Sequence, residues 1–220
     1  LKHGQKWEKA ISEEGIFSTY YDFFGYPFTV AVEPVVPESL SQPDLQLPFE
    51  NGVMWSFTGG PHGGWDTGSA WAALDFAPPG DALGCFPSAA WVTASAPGEV
   101  VYDDHGAVIQ DLDGDGIWQT GWSILYMHID RENRVKAGEF LEAGDRIGHP
   151  SCEGGFSTGT HLHIARRYNG EWIPADTNLP FVMDGWESAG YGVEYDGYLV
   201  NGDLTLEAWD GRSTLNAIKR

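Results

Sequence analysis

The stretch Ser151-Cys-Glu-Gly-Gly-Phe-Ser-Thr-Gly-Thr-His-Leu-His163, continued by Ile164-Ala-Arg-Arg-Tyr168, reads as a loop that enters a strand. Side chains alternate across a strand, so His161 and His163 share a face and Leu162 takes the other. The two Cα atoms stand roughly 6.5 Å apart, two residue rises. Two imidazoles at that separation can serve one centre, one as a metal ligand and one as a partner to what the metal binds. Working outward from this point, the rest of the chain supplies other groups that such a centre needs.

Asp75 lies in the apolar run Ala72-Ala-Leu-Asp-Phe-Ala77. A carboxylate on a buried strand face is costly without a cation or a metal beside it. His62 sits in Thr58-Gly-Gly-Pro-His-Gly-Gly64, where flanking glycines leave the backbone free to place its ring. In Tyr126-Met-His128 the alternation puts Tyr126 and His128 on one face. Of the 7 histidines, His3, His105 and His149 have no such setting and are taken as surface or structural. Two histidines, an aspartate and an open position make a four-coordinate zinc site, and the remaining histidines fit proton transfer beside it.

The chain has 220 residues, including 29 Gly, 13 Pro and 10 Trp, a composition that favours short strands and tight turns. Short strands are read at 52–57, 71–77, 90–94, 98–102, 107–109 and 122–128, which gives an antiparallel, mainly β fold. The aromatic-rich C-terminal part, from Pro174, is expected to close the sheet edge. Residues 1–47 differ: a short helix over Trp7 to Ile16, an aromatic cluster at Tyr20, Tyr21, Phe23 and Phe24, then a proline-rich extended segment. They read as an N-terminal arm, the remnant of a pro-segment, packed on a catalytic domain spanning 48–220. The end Leu1-Lys-His-Gly4 has neither a start methionine nor a signal-peptide pattern and reads as trimmed. No apolar run approaches the roughly 18 residues of a membrane-spanning helix.

The net charge of −20 speaks against nucleic acid as a partner, because phosphate neutralisation needs clustered Lys and Arg. The preferred reading is a charge that confers solubility. Cys85 and Cys152 are either two buried thiols or one disulfide, and a bridge fits an exported protein. The tip Asp111-Leu-Asp113-Gly-Asp115-Gly116 matches the start of a Ca2+ loop. Trp122 occupies the position of the bidentate glutamate, so an acidic turn is preferred to calcium.

His62 with Asp75, Tyr126-Met-His128 and the block Cys152-Glu-Gly-Gly-Phe-Ser-Thr-Gly-Thr-His-Leu-His163, with Tyr168-Asn-Gly behind it, resemble the lysostaphin-type zinc metallopeptidases. Within them the beta-lytic and staphylolytic branch is the most similar. The resemblance covers roughly Pro48 to Trp172. It implies an antiparallel β-sheet core with the site in a loop-walled groove. It implies one zinc per chain on His62, Asp75 and His163, and His128 and His161 as the catalytic pair, with Tyr168 as a further candidate. It also implies an endopeptidase acting on bacterial peptidoglycan cross-bridges or other glycine-rich peptides, and the protein is expected to be secreted and monomeric. The competing reading is a non-catalytic module of the same fold that binds cell wall or activates a hydrolase.

Overall fold

The structure is a computed structural model and describes residues 20, 22–25, 34–65 and 68–220. The chain divides into two compact units, Leu1–Pro37 and Glu38–Arg220. In the first, the Tyr20 and Phe24 rings lie 5.0 Å apart. In the same unit Phe23 and Phe24 are exposed. Tyr21 and the helix expected over Trp7 to Ile16 fall outside the described residues.

The second unit begins ten residues before the boundary read from the prolines, because the segment from Glu38 to Leu47 is built into it. Leu45 and Leu47 are buried in the main core. The Gln46 backbone N–H donates to Ser95 O at 2.9 Å, and its side chain to Ala94 O at 2.9 Å. Gln42 donates to Val182 O at 2.7 Å and accepts a hydrogen bond from Arg166 Nη1.

The described residues form fifteen strands: β1 (Trp55–His62), β2 (Ala73–Ala77), β3 (Val92–Thr93), β4 (Gly98–Tyr102), β5 (Ala107–Asp111), β6 (Trp122–Met127), β7 (Phe140–Leu141), β8 (Arg146–Gly148), β9 (Leu162–Tyr168), β10 (Glu171–Trp172), β11 (Val182–Met183), β12 (Trp186–Gly190), β13 (Gly197–Asn201), β14 (Leu204–Glu207) and β15 (Ala217–Ile218). Every pairing between them is antiparallel, as expected. The main sheet runs β15-β1-β2-β9-β6-β5-β4-β7, with β10 on β9. The C-terminal part does not simply close its edge. Strands β11 to β14 form a sheet of their own, and only β15 returns to pair with β1.

The central strands carry apolar residues on both faces, because both are covered. One face of β2, β6 and β9 places Leu74, Phe76, Ile124, Tyr126, Leu162 and Ile164 in the larger core. The other places Ala73, Leu125, Met127 and Ala165 in a smaller cluster. Alternation assigns Asp75 and His163 to this second face, where small alanines leave room for polar chemistry.

Candidate active site

Asp75 on β2 and His163 on β9 are direct partners in the antiparallel register. Such pairs carry their side chains together on one face, so two adjacent ligands follow from the register alone. His62, expected in a glycine loop, is the last residue of β1. Register shifts between Phe57 and Gly59 and between Gly59 and His62 turn its ring toward the pair. Gly59 is needed here, since a Cβ on it would lie 2.9 Å from Asp75 Oδ2.

His62 Nε2 stands 2.9 Å from His163 Nδ1 and 3.3 Å from Asp75 Oδ1, and His163 Nδ1 stands 3.2 Å from Asp75 Oδ1. All three residues are buried. The outward ring nitrogens settle the tautomers. His62 Nδ1 faces Gly60 O at 2.8 Å and His163 Nε2 faces Gly64 O at 3.0 Å. A carbonyl oxygen only accepts, so each of these nitrogens carries its hydrogen. In the neutral rings the inward nitrogens are then bare lone pairs, aimed at each other and at a carboxylate oxygen. That arrangement is repulsive unless a cation sits among them. Ligands on tetrahedral zinc, at bonds of about 2.0–2.1 Å, are about 3.3 Å apart, close to all three separations. The donor set therefore fits a divalent metal, and the backbone carbonyls orient its imidazoles.

The electrostatics report the same demand. Burial opposes charge on His62, but Asp75 and the Gly60 carbonyl outweigh it and raise its pKa. Burial likewise opposes charge on Asp75, yet His62, His161 and His163 hold its carboxyl well below the usual range. A proton shared in this cluster does, weakly, what a metal would do.

The other two histidines are built the same way. His161 Nδ1 donates to Gly159 O at 2.7 Å, which turns Nε2 toward Asp75 Oδ2, 3.7 Å away. His128 Nδ1 donates to Glu153 O at 2.9 Å. The two rings lie 4.4 Å apart. Burial, with His161 beside it, lowers the His128 pKa to about 4, so its ring is neutral near pH 7. The expected shared face of Tyr126 and His128 is not found. β6 ends at Met127, and His128 takes φ +65°, which breaks the alternation. Tyr126 points into the core, where its hydroxyl donates to Gln110 Oε1 at 3.1 Å and accepts from the Ser95 N–H at 2.8 Å.

Tyr168 is not brought to the site. It lies five residues along β9 from His163, roughly 16 Å of extended strand away. Its ring packs edge-on against Trp122, centroids 5.3 Å apart. The tyrosine at the site is Tyr195, which sequence reasoning missed. Its ring stacks on His62 at 4.2 Å and 20°, and it lines a cavity of about 490 Å3 with Asp75 and His161. Burial and the Asp75 and Glu194 carboxylates raise its pKa, so it keeps its hydroxyl proton. Its signal, one tyrosine among nine, was carried by no spacing.

Two loops wall this cavity. Cys85 and Cys152 are joined by a disulfide. Beside it Thr160 Oγ1 donates to Phe86 O at 2.7 Å, and Thr160 N donates to Gly84 O at 3.0 Å. The loop that leads into His161 is thus tied to the opposite wall. The acidic tip is a turn closed on itself: Asp111 Oδ2 accepts from Gly116 N at 2.9 Å and Asp115 Oδ1 from Ile117 N at 2.7 Å. Its three carboxylates lie close enough to share an ion but are already acceptors for the turn.

One groove of this antiparallel sheet thus gathers a His-Asp-His centre and two more histidines. Residues 82–175 match Peptidase family M23. The match includes His128, His161 and His163, while His62 and Asp75 precede it. The beta-lytic metalloendopeptidase of Achromobacter lyticus is 28% identical over 160 residues, 69% of this chain and 40% of the relative. Protease LasA of Pseudomonas aeruginosa is 28% identical over 175 residues, 70% of this chain and 39% of the relative. The matched region thus spans about two fifths of the length of these two relatives. A solved structure, described as the M23 metalloprotease pseudoalterin from the deep sea, superposes with a TM-score of 0.64. It is 21% identical, covers 82% of this chain and 100% of its own, and shows the fold.

Proposed function

We propose that this chain is an exported, zinc-dependent endopeptidase that hydrolyses peptide bonds in bacterial peptidoglycan cross-bridges or other glycine-rich peptides. The observation that carries the reading is the convergence of three lone-pair donors, His62 Nε2, Asp75 Oδ1 and His163 Nδ1, within 2.9–3.3 Å of one another. A zinc ion held by these atoms would supply a Lewis acid that polarises the scissile carbonyl and acidifies water.

The remaining steps belong to the chain's own groups. His161, its Nδ1 engaged by Gly159 O, turns Nε2 to the cavity and accepts the proton of the attacking water there. His128, held neutral, lies against His161 and is placed to relay that proton to the leaving amine. Tyr195 retains its O–H as a donor for the oxygen that becomes negative. All of these groups come from one chain, so a monomer holds a complete site. The disulfide accords with an oxidising compartment. Glycine suits a groove whose walls are tied together, because a backbone without side chains can lie close to the centre.

The test is metal content measured beside turnover of pentaglycine, purified peptidoglycan and casein. One zinc per chain with cleavage of the first two is the expected outcome. Binding of peptidoglycan without cleavage of any substrate by zinc-loaded protein would show a binding module instead.

A further inference from the structure

The cavity that holds Asp75, His161 and Tyr195 is also lined by Arg212. Arg212 follows β14 and is fastened to the wall loop by main-chain carbonyls. Its Nε donates to Pro78 O at 2.7 Å and its Nη1 to Ala82 O at 3.1 Å. Its guanidinium lies 5.3 Å from the centre of the Phe86 ring. Among the described residues no carboxylate lies within ion-pair distance of it, although Asp210 lines the same cavity. A guanidinium has five N–H donors, and two are used here. Arg131, in the neighbouring cavity, differs: it is bound to Glu153 at 2.9 Å.

We infer that Arg212 is a carboxylate-binding subsite of the peptide groove. The chain carries a net charge of −20, so its average field disfavours an anionic peptide. A fixed guanidinium with free donors and no internal counter-ion reverses this at one point. Its rigidity matters: two carbonyls and a ring hold the fork, so little rotamer freedom is lost when a carboxylate docks. The partner is a glycine-rich peptide that carries a carboxylate, as a free C-terminus or an acidic side chain, at a fixed distance from the bond over the histidines. This deepens the endopeptidase reading and rests on it for the turnover arm alone.

The experiment compares labelled tri- to hexaglycine peptides as C-terminal acids and as amides, and amidated hexaglycine carrying one Glu or Gln. Affinity for zinc-loaded protein is measured by fluorescence anisotropy, with kcat/KM beside it where cleavage occurs. Wild type is expected to favour the acid, or the Glu peptide, by about tenfold at one length or position. Arg212→Gln should abolish or invert that preference and leave the amides unchanged, and Arg212→Lys should keep part of it. A preference for the acid series places the C-terminus in the subsite, and one for the Glu peptide places a side chain there. Acid and amide, and Glu and Gln, binding alike or not at all would overturn the inference. So would a preference that survives Arg212→Gln, or an equal loss on acids and amides, which marks loop anchoring only. An Arg212-dependent preference without cleavage would sustain the subsite and remove the peptidase reading.

Discussion

Asp75 and His163 face each other across two antiparallel strands, with Asp75 Oδ1 3.2 Å from His163 Nδ1. His161, two residues earlier, presents its Nε2 to the other oxygen of the same carboxylate at 3.7 Å. One aspartate thus touches both histidines of the His-Leu-His block, through different oxygens. Replacing His163 by Ala should abolish zinc binding and activity together. His161→Ala should keep one zinc and the fold while turnover falls by roughly two to four orders of magnitude, the usual worth of a general acid or base. His128→Ala should follow His161→Ala. Zinc stoichiometry and turnover for the three variants check the assignment, which fails if His163→Ala retains zinc.

Metal uptake should compete with protons. The His62 pKa is raised above 6.5 by Asp75 against the opposing effect of burial, and the metal must displace that proton. Zinc affinity should therefore be greatest above the raised pKa and decline as pH falls through it. Asp75, held well below 3.8, stays ionised throughout this window and contributes no slope. Calorimetry in buffers of different ionisation enthalpy should show proton release near neutrality. An affinity flat between about pH 5.5 and 8 would contradict the raised His62 pKa.

The two tyrosines should separate cleanly. Tyr195→Phe removes a donor from the cavity and should lower kcat by about a hundredfold to a thousandfold with zinc retained. Tyr168→Phe should leave turnover unchanged, since its ring only packs on Trp122. Steady-state kinetics on one glycine peptide decide between them.

The disulfide closes a loop with a sequence separation of 67. Chain-entropy arguments give its removal a cost of about 4 kcal/mol. A Cys85→Ser, Cys152→Ser double variant should melt earlier by several degrees. It should also bind peptide more weakly, because the wall loops lose their tie. Thermal melts and KM values provide the check.

The segment from Glu38 to Leu47 should be indispensable. Arg166 is fully buried on β9, and burial lowers its pKa to about 9. Gln42 is one of its acceptors. Removing residues 1–37 should leave the second unit folded. Removing 1–47 deletes Gln42, Leu45 and Leu47, and should cost at least about 3 kcal/mol from the buried charge and the cavity. Denaturant melts of the two truncations measure this.

Much of the fold and site was legible because the decisive signals were local. Gly98–Tyr102 and the Ala107 and Trp122 arms were marked by β-branched and aromatic runs, and they stand as β4, β5 and β6. His62, Asp75, His128, His161 and His163 were singled out by residue type and setting, and the structure gathers all five. What stayed hidden depended on distant contacts. Tyr195 reaches His62 through a separate sheet whose position no short-range pattern encodes. The end of β6 at Met127 is set by one left-handed residue, His128, whose chemistry does not announce positive φ. The prolines before residue 48 fixed an extended conformation, yet only long-range bonds such as Gln46 to Ser95 decide which unit owns that segment.

Four imidazoles in this groove are held by main-chain oxygens, those of Gly60, Gly64, Glu153 and Gly159. A point substitution changes a side chain and leaves the carbonyl in place, so mutation cannot readily delete these orienting contacts. The reactive centre is thereby insulated from sequence drift in its surroundings. The groove walls, built from side chains such as Leu83, Phe156 and Arg212, carry no such protection. Selection or an engineer can therefore rework what the groove accepts while the histidines keep their tautomers. Evolvability here is divided between a conserved-by-construction backbone frame and a freely variable lining.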